Sequence, residues 1–198
     1  ALELARALAP HDVQIHLATM GAPPSDTQRR RAAALDNLTV HESAWKLEWM
    51  NDPWPDVTAA GRWLRTLEQR LQPHVIHLNG YAHAGQGFAA PVVVVAHSCV
   101  CSWWQAVKGA AAPASWDEYR RRVTAGLHAA DHVVAPSHAM LRAIEANYGR
   151  PNAASVIHNA RAPADFSPAL KRPCILSAGR LWDEAKNIAA LTAVAPAL

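Results

Sequence analysis

A chain of 198 residues sets a size of one domain, or of one domain and part of a second. Half of the residues are hydrophobic and 18% are charged, a balance that supports a sizeable core and argues against disorder. The net charge of +3 rests on 15 Arg and 4 Lys, scattered apart from Arg29-Arg30-Arg31 and Arg120-Arg121-Arg122; no basic stripe interleaved with aromatics points to nucleic acid.

The chain opens inside a helical pattern (Ala1, Leu4, Leu8) that Pro10 ends, and a strand follows from Val13 to Thr19. A parallel α/β sheet would place a strand and a glycine-rich turn ahead of that helix, so the domain reads as cut before its start. Gly21 to Leu35 gives a loop and a short Arg-rich helix, and Leu38 to His41 a short strand. Trp45 to Pro55 holds three of the eight Trp, and its prolines keep it irregular. Such rings can stack on sugars, but large aromatics are usually buried, and a plug at the edge of the core is the favoured reading. From Asp56 a helix sets Val57, Ala60, Leu64, Leu67 and Leu71 on one face and Arg62, Arg65, Glu68 and Arg70 toward solvent, until Pro73 ends it. Val75 to Leu78 is a strand, broken by Asn79-Gly80. His74 and His77 fall on its opposite faces, which disfavours a metal there.

Gly85-Gln86-Gly87-Phe88-Ala89-Ala90 fits a loose G-x-G-x-x-A pattern, yet Pro91 and a new strand follow at once, without the helix that a pyrophosphate needs. Pro91 to Ala96 is the longest apolar run, strand-sized and far short of the roughly 18 residues of a membrane span. Its four valines predict a central parallel strand covered on both faces. That strand delivers His97-Ser98 to the carboxyl edge of the sheet, where open α/β sheets bind their ligands. A His there can titrate near neutral pH, hydrogen-bond a hydroxyl or assist proton transfer, but by pattern alone a structural His bonded to a neighbouring carbonyl is the favoured reading. No G-x-S-x-G elbow surrounds Ser98, which argues against a Ser-His hydrolase. Cys99, Cys101 and Cys174 are an odd set without disulfide or zinc spacing, as suits a reducing compartment.

Cys99 to Pro113 reads as a loop with a helical turn. Ser115 and Glu118 then have capping-box spacing before a helix whose apolar face is Tyr119, Val123, Leu127 and Ala130. His132 to Ala135 is a strand; Ser137 caps a helix with Leu141, Ile144 and Tyr148 inward and Gly149 at its end. Ser155 to Ile157 is a last short strand, reaching His158-Asn159. Three prolines between Pro163 and Pro173 mark a linker. Beyond it, Cys174 to Ala178 predicts a buried strand, followed by Gly179-Arg180, a polar loop and a helix from about Asn187. Arg180 and Lys186 flank this strand-to-helix turn, where free N–H groups and the helix dipole favour anions and a guanidinium fork with an ammonium suits a diphosphate. By pattern alone the two cations can equally be solvated loop charges. One strand and one helix cannot bury their own apolar faces, so a second α/β domain is expected to continue past Leu198.

The ordered set Val75-Ile76-His77-Leu78-Asn79-Gly80, Val93-Val94-Val95-Ala96-His97-Ser98, Ala130-Asp131-His132-Val133-Val134-Ala135-Pro136-Ser137, Val156-Ile157-His158-Asn159 and Ser177-Ala178-Gly179-Arg180-Leu181, then Lys186, resembles the family-four glycosyltransferases of the GT-B fold. The resemblance implies an α/β, Rossmann-like parallel sheet flanked by helices, with an acceptor-side domain lacking its first strand over residues 1–162. A linker over 163–173 and the start of a nucleotide-sugar-binding domain over 174–198 would follow. It implies a fragment of a retaining glycosyltransferase of the hexosyltransferase type, which moves a sugar from a nucleotide-diphosphate sugar to a saccharide, lipid or other acceptor. No cofactor is implied beyond that co-substrate. Arg180 and Lys186 match the positions that grip the donor diphosphate, and His97 matches the catalytic histidine near the transferred sugar. Asn79, Gly80, Ser98, Ser137 and Asn159 match the cleft. Two departures stand out: Asn187 and Ala160 occupy positions where the family has Gly more often. The acidic E-x7-E donor motif is absent, so the 198 residues are expected to be inactive by themselves. No D-x-D occurs, and no metal ligand is assigned. A GT-B-like nucleotide-sugar epimerase or phosphorylase, or a non-catalytic α/β binding module, are the alternatives. The expected setting is cytoplasmic, with peripheral membrane contact left open.

Overall fold

The computed structural model describes residues 1–163 and 166–194. Ala164 and Asp165 of the expected linker, and residues 195–198 of the expected last helix, lie outside the described residues. Helix α1 (Leu2–Leu8) leads through a 3-10 turn into strand β1 (Ile15–Ala18). Helix α2 (Asp26–Ala33) starts on a reciprocal cap: Gln28 N donates to Ser25 Oγ, and Ser25 N donates to Gln28 Oε1 at 2.7 Å. Strand β2 (Leu38–His41), helix α3 (Trp54–Leu71) and strand β3 (Ile76–Leu78) follow. After a 3-10 turn over Ala82–Gln86 come strand β4 (Val92–Val95), the short helix α4 (Val100–Trp103) and helix α5 (Asp117–Ala129). Strand β5 (His132–Ala135), helix α6 (His138–Tyr148) and strand β6 (Ala154–Val156) complete the main body, and helix α7 (Ala189–Val194) lies beyond it.

The class is the expected one, parallel strands flanked by helices. The strands divide into two sheets, however: β1 pairs with β2, and β3, β4, β5 and β6 pair in that order, every pair parallel. Among the described residues, β1, β2, β3 and β6 each have one edge without a strand partner. Loop bonds tie the two sheets together. Gly21 N, after β1, donates to Trp45 O at 2.8 Å, and the next few residues reach the end of β3 through Glu48. Asn37 Nδ2 joins the first sheet to α1, donating to Ala5 O at 2.9 Å and Val13 O at 3.0 Å.

The valine run forms the central strand as expected: Val92 and Val94 are buried, and Val93 and Val95 are half-buried on the other face. Against it pack Tyr119, Val123 and Leu127 of α5 and Ile144 and Tyr148 of α6, all buried. Ser137 caps α6 by accepting Met140 N at 3.1 Å, and Gly149 ends it at φ 81, a left-handed conformation that glycine adopts without strain.

Four local expectations are corrected. Residues 174–178 make no strand: Ile175 and Leu176 are exposed, because an isolated apolar run has no neighbouring strand with which to share its backbone hydrogen bonds. The Ser115 capping box does not form; α5 begins at Asp117 after a 3-10 turn, and Glu118 turns to Arg121 and Arg122 instead. Glu68 is buried, not solvated, and its carboxylate accepts Ala89 N at 2.6 Å and Ala90 N at 3.0 Å. Of the three aromatic rings in the Trp45 stretch, Trp54 packs against the core, with Arg122 stacked over it at 4.6 Å, while Trp49 is exposed.

Candidate functional site

Parallel pairing brings the carboxyl ends of β3, β4, β5 and β6 to one edge, and the loops that leave those ends carry five of the expected cleft residues as well as His97. Asn79, His97, Ser98 and Asn159 are exposed there, and Gly80 and Ser137 are half-buried. His97 leaves β4 through a tight turn, its N–H donating to Val95 O at 3.2 Å, and the residue is exposed at the edge. The hydroxyl of Ser137 is already engaged as the α6 cap, a structural task that leaves its N-terminal turn facing the edge. His158 Nδ1 donates to Pro136 O at 2.9 Å and clips the last two loops together.

Beneath the first two loops lies a group that the sequence pattern did not single out. Glu48 is 6% exposed, and its carboxylate accepts Tyr81 N at 3.0 and 3.1 Å and Ala82 N at 2.7 Å. Tyr81, itself buried, donates its hydroxyl to Ser98 O at 2.7 Å. Burial raises the Glu48 carboxyl above the ordinary Glu value, and the N–H groups of Ala82 and Tyr81 lower it in part. A carboxyl whose folded value is raised binds its proton more tightly when folded. Its contribution is therefore full below the unfolded value of 4.5 and lost as pH rises through the folded value. Urea unfolding of the unsubstituted chain and Glu48→Gln should thus give a stability difference that shifts against the unsubstituted chain as pH rises above the ordinary value of 4.5. A difference flat above that value would count against a desolvated carboxyl.

Arg180 and Lys186 are brought together, but around a carboxylate of their own segment. Arg180 donates to Asp183 Oδ2 from Nε at 3.1 Å and from Nη2 at 2.5 Å, and the charge of Lys186 also acts on Asp183. The bonded Arg180 guanidinium holds the Asp183 carboxyl below its ordinary value. Asp183 additionally accepts Ala185 N at 3.1 Å and starts the 3-10 turn Glu184–Lys186, and Asn187 ends that turn in a left-handed conformation at φ 45. Lys108, beyond α4, reaches Glu184 Oε2 at 2.6 Å and ties this segment to the main body. Among the described residues, no hydrogen bond or ion pair joins His97 to Arg180 or Lys186. The spacing of Asp183 three residues after Arg180 was a readable signal for their pairing.

Among the described residues, no three His, Cys, Asp or Glu side chains are grouped to hold a metal ion, and no helix is long and apolar enough to cross a membrane. Comparison with known families matches residues 1–163 to the model described as Glycosyltransferase Family 4. No curated protein matches the chain.

Proposed function

Because the chain belongs to glycosyltransferase family 4, we propose that it serves the retaining transfer of a hexose from a nucleotide-diphosphate sugar to a saccharide, lipid or other acceptor. Residues 1–162 form the acceptor side, 163–173 the connection and 174–198 the opening of the donor side of a GT-B arrangement. The observation that carries this reading is the exposed His97 at the carboxyl edge of the parallel sheet, on the same edge as the loops that carry Asn79, Gly80, Ser98, Ser137 and Asn159.

In that reaction the bond from the anomeric carbon to the diphosphate oxygen breaks, and the acceptor oxygen bonds to the same face of the sugar as its proton leaves. Negative charge grows on the departing diphosphate. Arg180 and Lys186 are the groups to meet it, and cations fixed in advance act most strongly on the transition state. His97 would hydrogen-bond the transferred sugar. The buried, free Cys99 and Cys101 and the exposed, free Cys174 support a reducing, cytoplasmic setting.

The test is a panel of labelled nucleotide-diphosphate hexoses supplied to the whole protein with saccharide and lipid acceptors. Nucleotide release coupled to a new glycosidic bond of retained configuration supports the proposal; an isomerised donor with no bond made sinks it. In the same assay His97→Ala should lower kcat by about tenfold or more, with donor binding nearly unchanged. A variant that loses donor binding instead would move His97 from the reacting sugar to the donor grip.

A further inference from the structure

Glu48 is an unusual choice for its place. It stands in the irregular stretch after β2, is 6% exposed, and among the described residues no cation pairs with it. A carboxylate removed from water without a counter-charge is costly, and here three backbone N–H bonds offset that cost. The amides it holds belong to Tyr81 and Ala82, directly after Asn79-Gly80. A Cβ on Gly80 would lie 3.7 Å from Glu48 Oε2, so the carboxylate lies directly beneath this loop.

The grip continues through the tyrosine. Tyr81 is 2% exposed, its backbone is fixed at one end by Glu48, and at the other end its hydroxyl donates to Ser98 O at 2.7 Å, one residue past His97. A buried ring has few torsions to vary and acts as a strut of fixed length. The loop after β4 is further braced by Tyr119, whose hydroxyl accepts Val100 N at 3.3 Å. We infer that Glu48 is a positioning residue of the transfer site, setting the place of His97 through the strut Glu48–Tyr81–Ser98. The inference rests on the proposed role of His97 and adds the mechanism that presents it. A histidine on an unbraced loop would sample many poses, and loss of placement lowers turnover more than it lowers affinity.

The decisive variant is Tyr81→Phe, which keeps the ring and removes only the bond to Ser98. By 15N relaxation of the full 198-residue chain, the amide order parameters of His97 and Ser98 should fall from about 0.85 to below about 0.6, while Val94 stays rigid. In the transfer assay of the whole protein, kcat should fall about tenfold with donor KM within about twofold. Glu48→Gln should loosen the same two amides and also Tyr81 and Ala82. A merely structural role would lower Tm and leave both the local order at His97 and the kcat-to-KM split untouched. Should Glu48→Gln fail to fold, Tyr81→Phe decides alone: His97 and Ser98 as ordered as before, or an unchanged kcat, overturns the inference. The reading of His97 fails on a different result, full turnover by His97→Ala, so the two failures are distinguishable.

Discussion

Gly126→Ala is expected to destabilise the fold by about 3 kcal/mol or more, at the top of the range for overpacked cores. A Cβ at this position in α5 would sit 2.0 Å from Tyr81 O and 2.8 Å from Tyr81 C, both backbone atoms that no rotamer change can move aside. Helix propensity argues the other way, since Ala is favoured over Gly in a helix interior by about 1 kcal/mol. The clash outweighs it, because the helix touches the 3-10 turn Ala82–Gln86 backbone to backbone and must be pushed away from it. For a chain of this size the loss corresponds to a Tm lower by roughly 6–12 °C. Tyr81 is also the residue gripped by Glu48, so the displacement should reach the loops around His97 and reduce transfer as well as stability. Gly85→Ala, within the same turn and with no atom inside 4 Å of its would-be Cβ, is the matched control and should be nearly neutral. A Gly126→Ala protein that melts within about 1 °C of the unsubstituted chain would show that α5 can shift freely, and the close packing would then carry no weight.

What the sequence made legible follows from local chemistry. The valines of β4 and the β-branched or apolar runs of the other strands declare themselves within four or five residues, and parallel order follows from helices alternating with strands. Ser137 and Gly149 bracket α6 by local hydrogen bonding and backbone freedom, so both were readable. His97 could be placed at the sheet edge because a strand end is fixed by where its valines stop. Glu48 could not, since its partners lie 33 and 34 residues away in an irregular stretch with no period to read. Glu68 failed for a related reason: helical periodicity assigned it to solvent, while the loop that buries it lies 21 and 22 residues downstream. At Ser115 a correct spacing lost to competing contacts, because Arg121 and Arg122 bond Glu118 at 2.7 and 2.6 Å and Trp116 packs edge-on against Tyr119. The run at 174–178 has the composition of a strand, but a strand is a property of a pair, and composition alone supplies no neighbour.

Arg180→Ala should reduce kcat/KM of the whole protein by well over tenfold, and by more than Lys186→Ala, although both remove one positive charge. The difference comes from Asp183. In the unsubstituted chain its carboxylate is neutralised by the Arg180 fork, so the segment presents Lys186 and a compensated pair. On the proposed donor-side role, removing Arg180 would take away a diphosphate ligand and would also leave the Asp183 carboxylate without its guanidinium partner beside the leaving group, adding repulsion to lost attraction. Removing Lys186 leaves the Arg180–Asp183 pair intact. The loss should therefore divide in a double variant: Arg180→Ala with Asp183→Asn should recover part of the activity lost in Arg180→Ala, toward the level of Lys186→Ala. The test is donor turnover across the unsubstituted protein, the three single variants Arg180→Ala, Lys186→Ala and Asp183→Asn, and the double variant at two salt concentrations, since exposed charges are screened while the order of effects persists. Recovery would identify Asp183 as a rival of the donor for the guanidinium. No recovery, with Asp183→Asn alone impaired, would instead make Asp183 the group that aims Arg180 at the donor. Activity equal to that of the unsubstituted protein in both Arg180→Ala and Lys186→Ala would return the two cations to solvated loop charges and remove the donor grip from this segment.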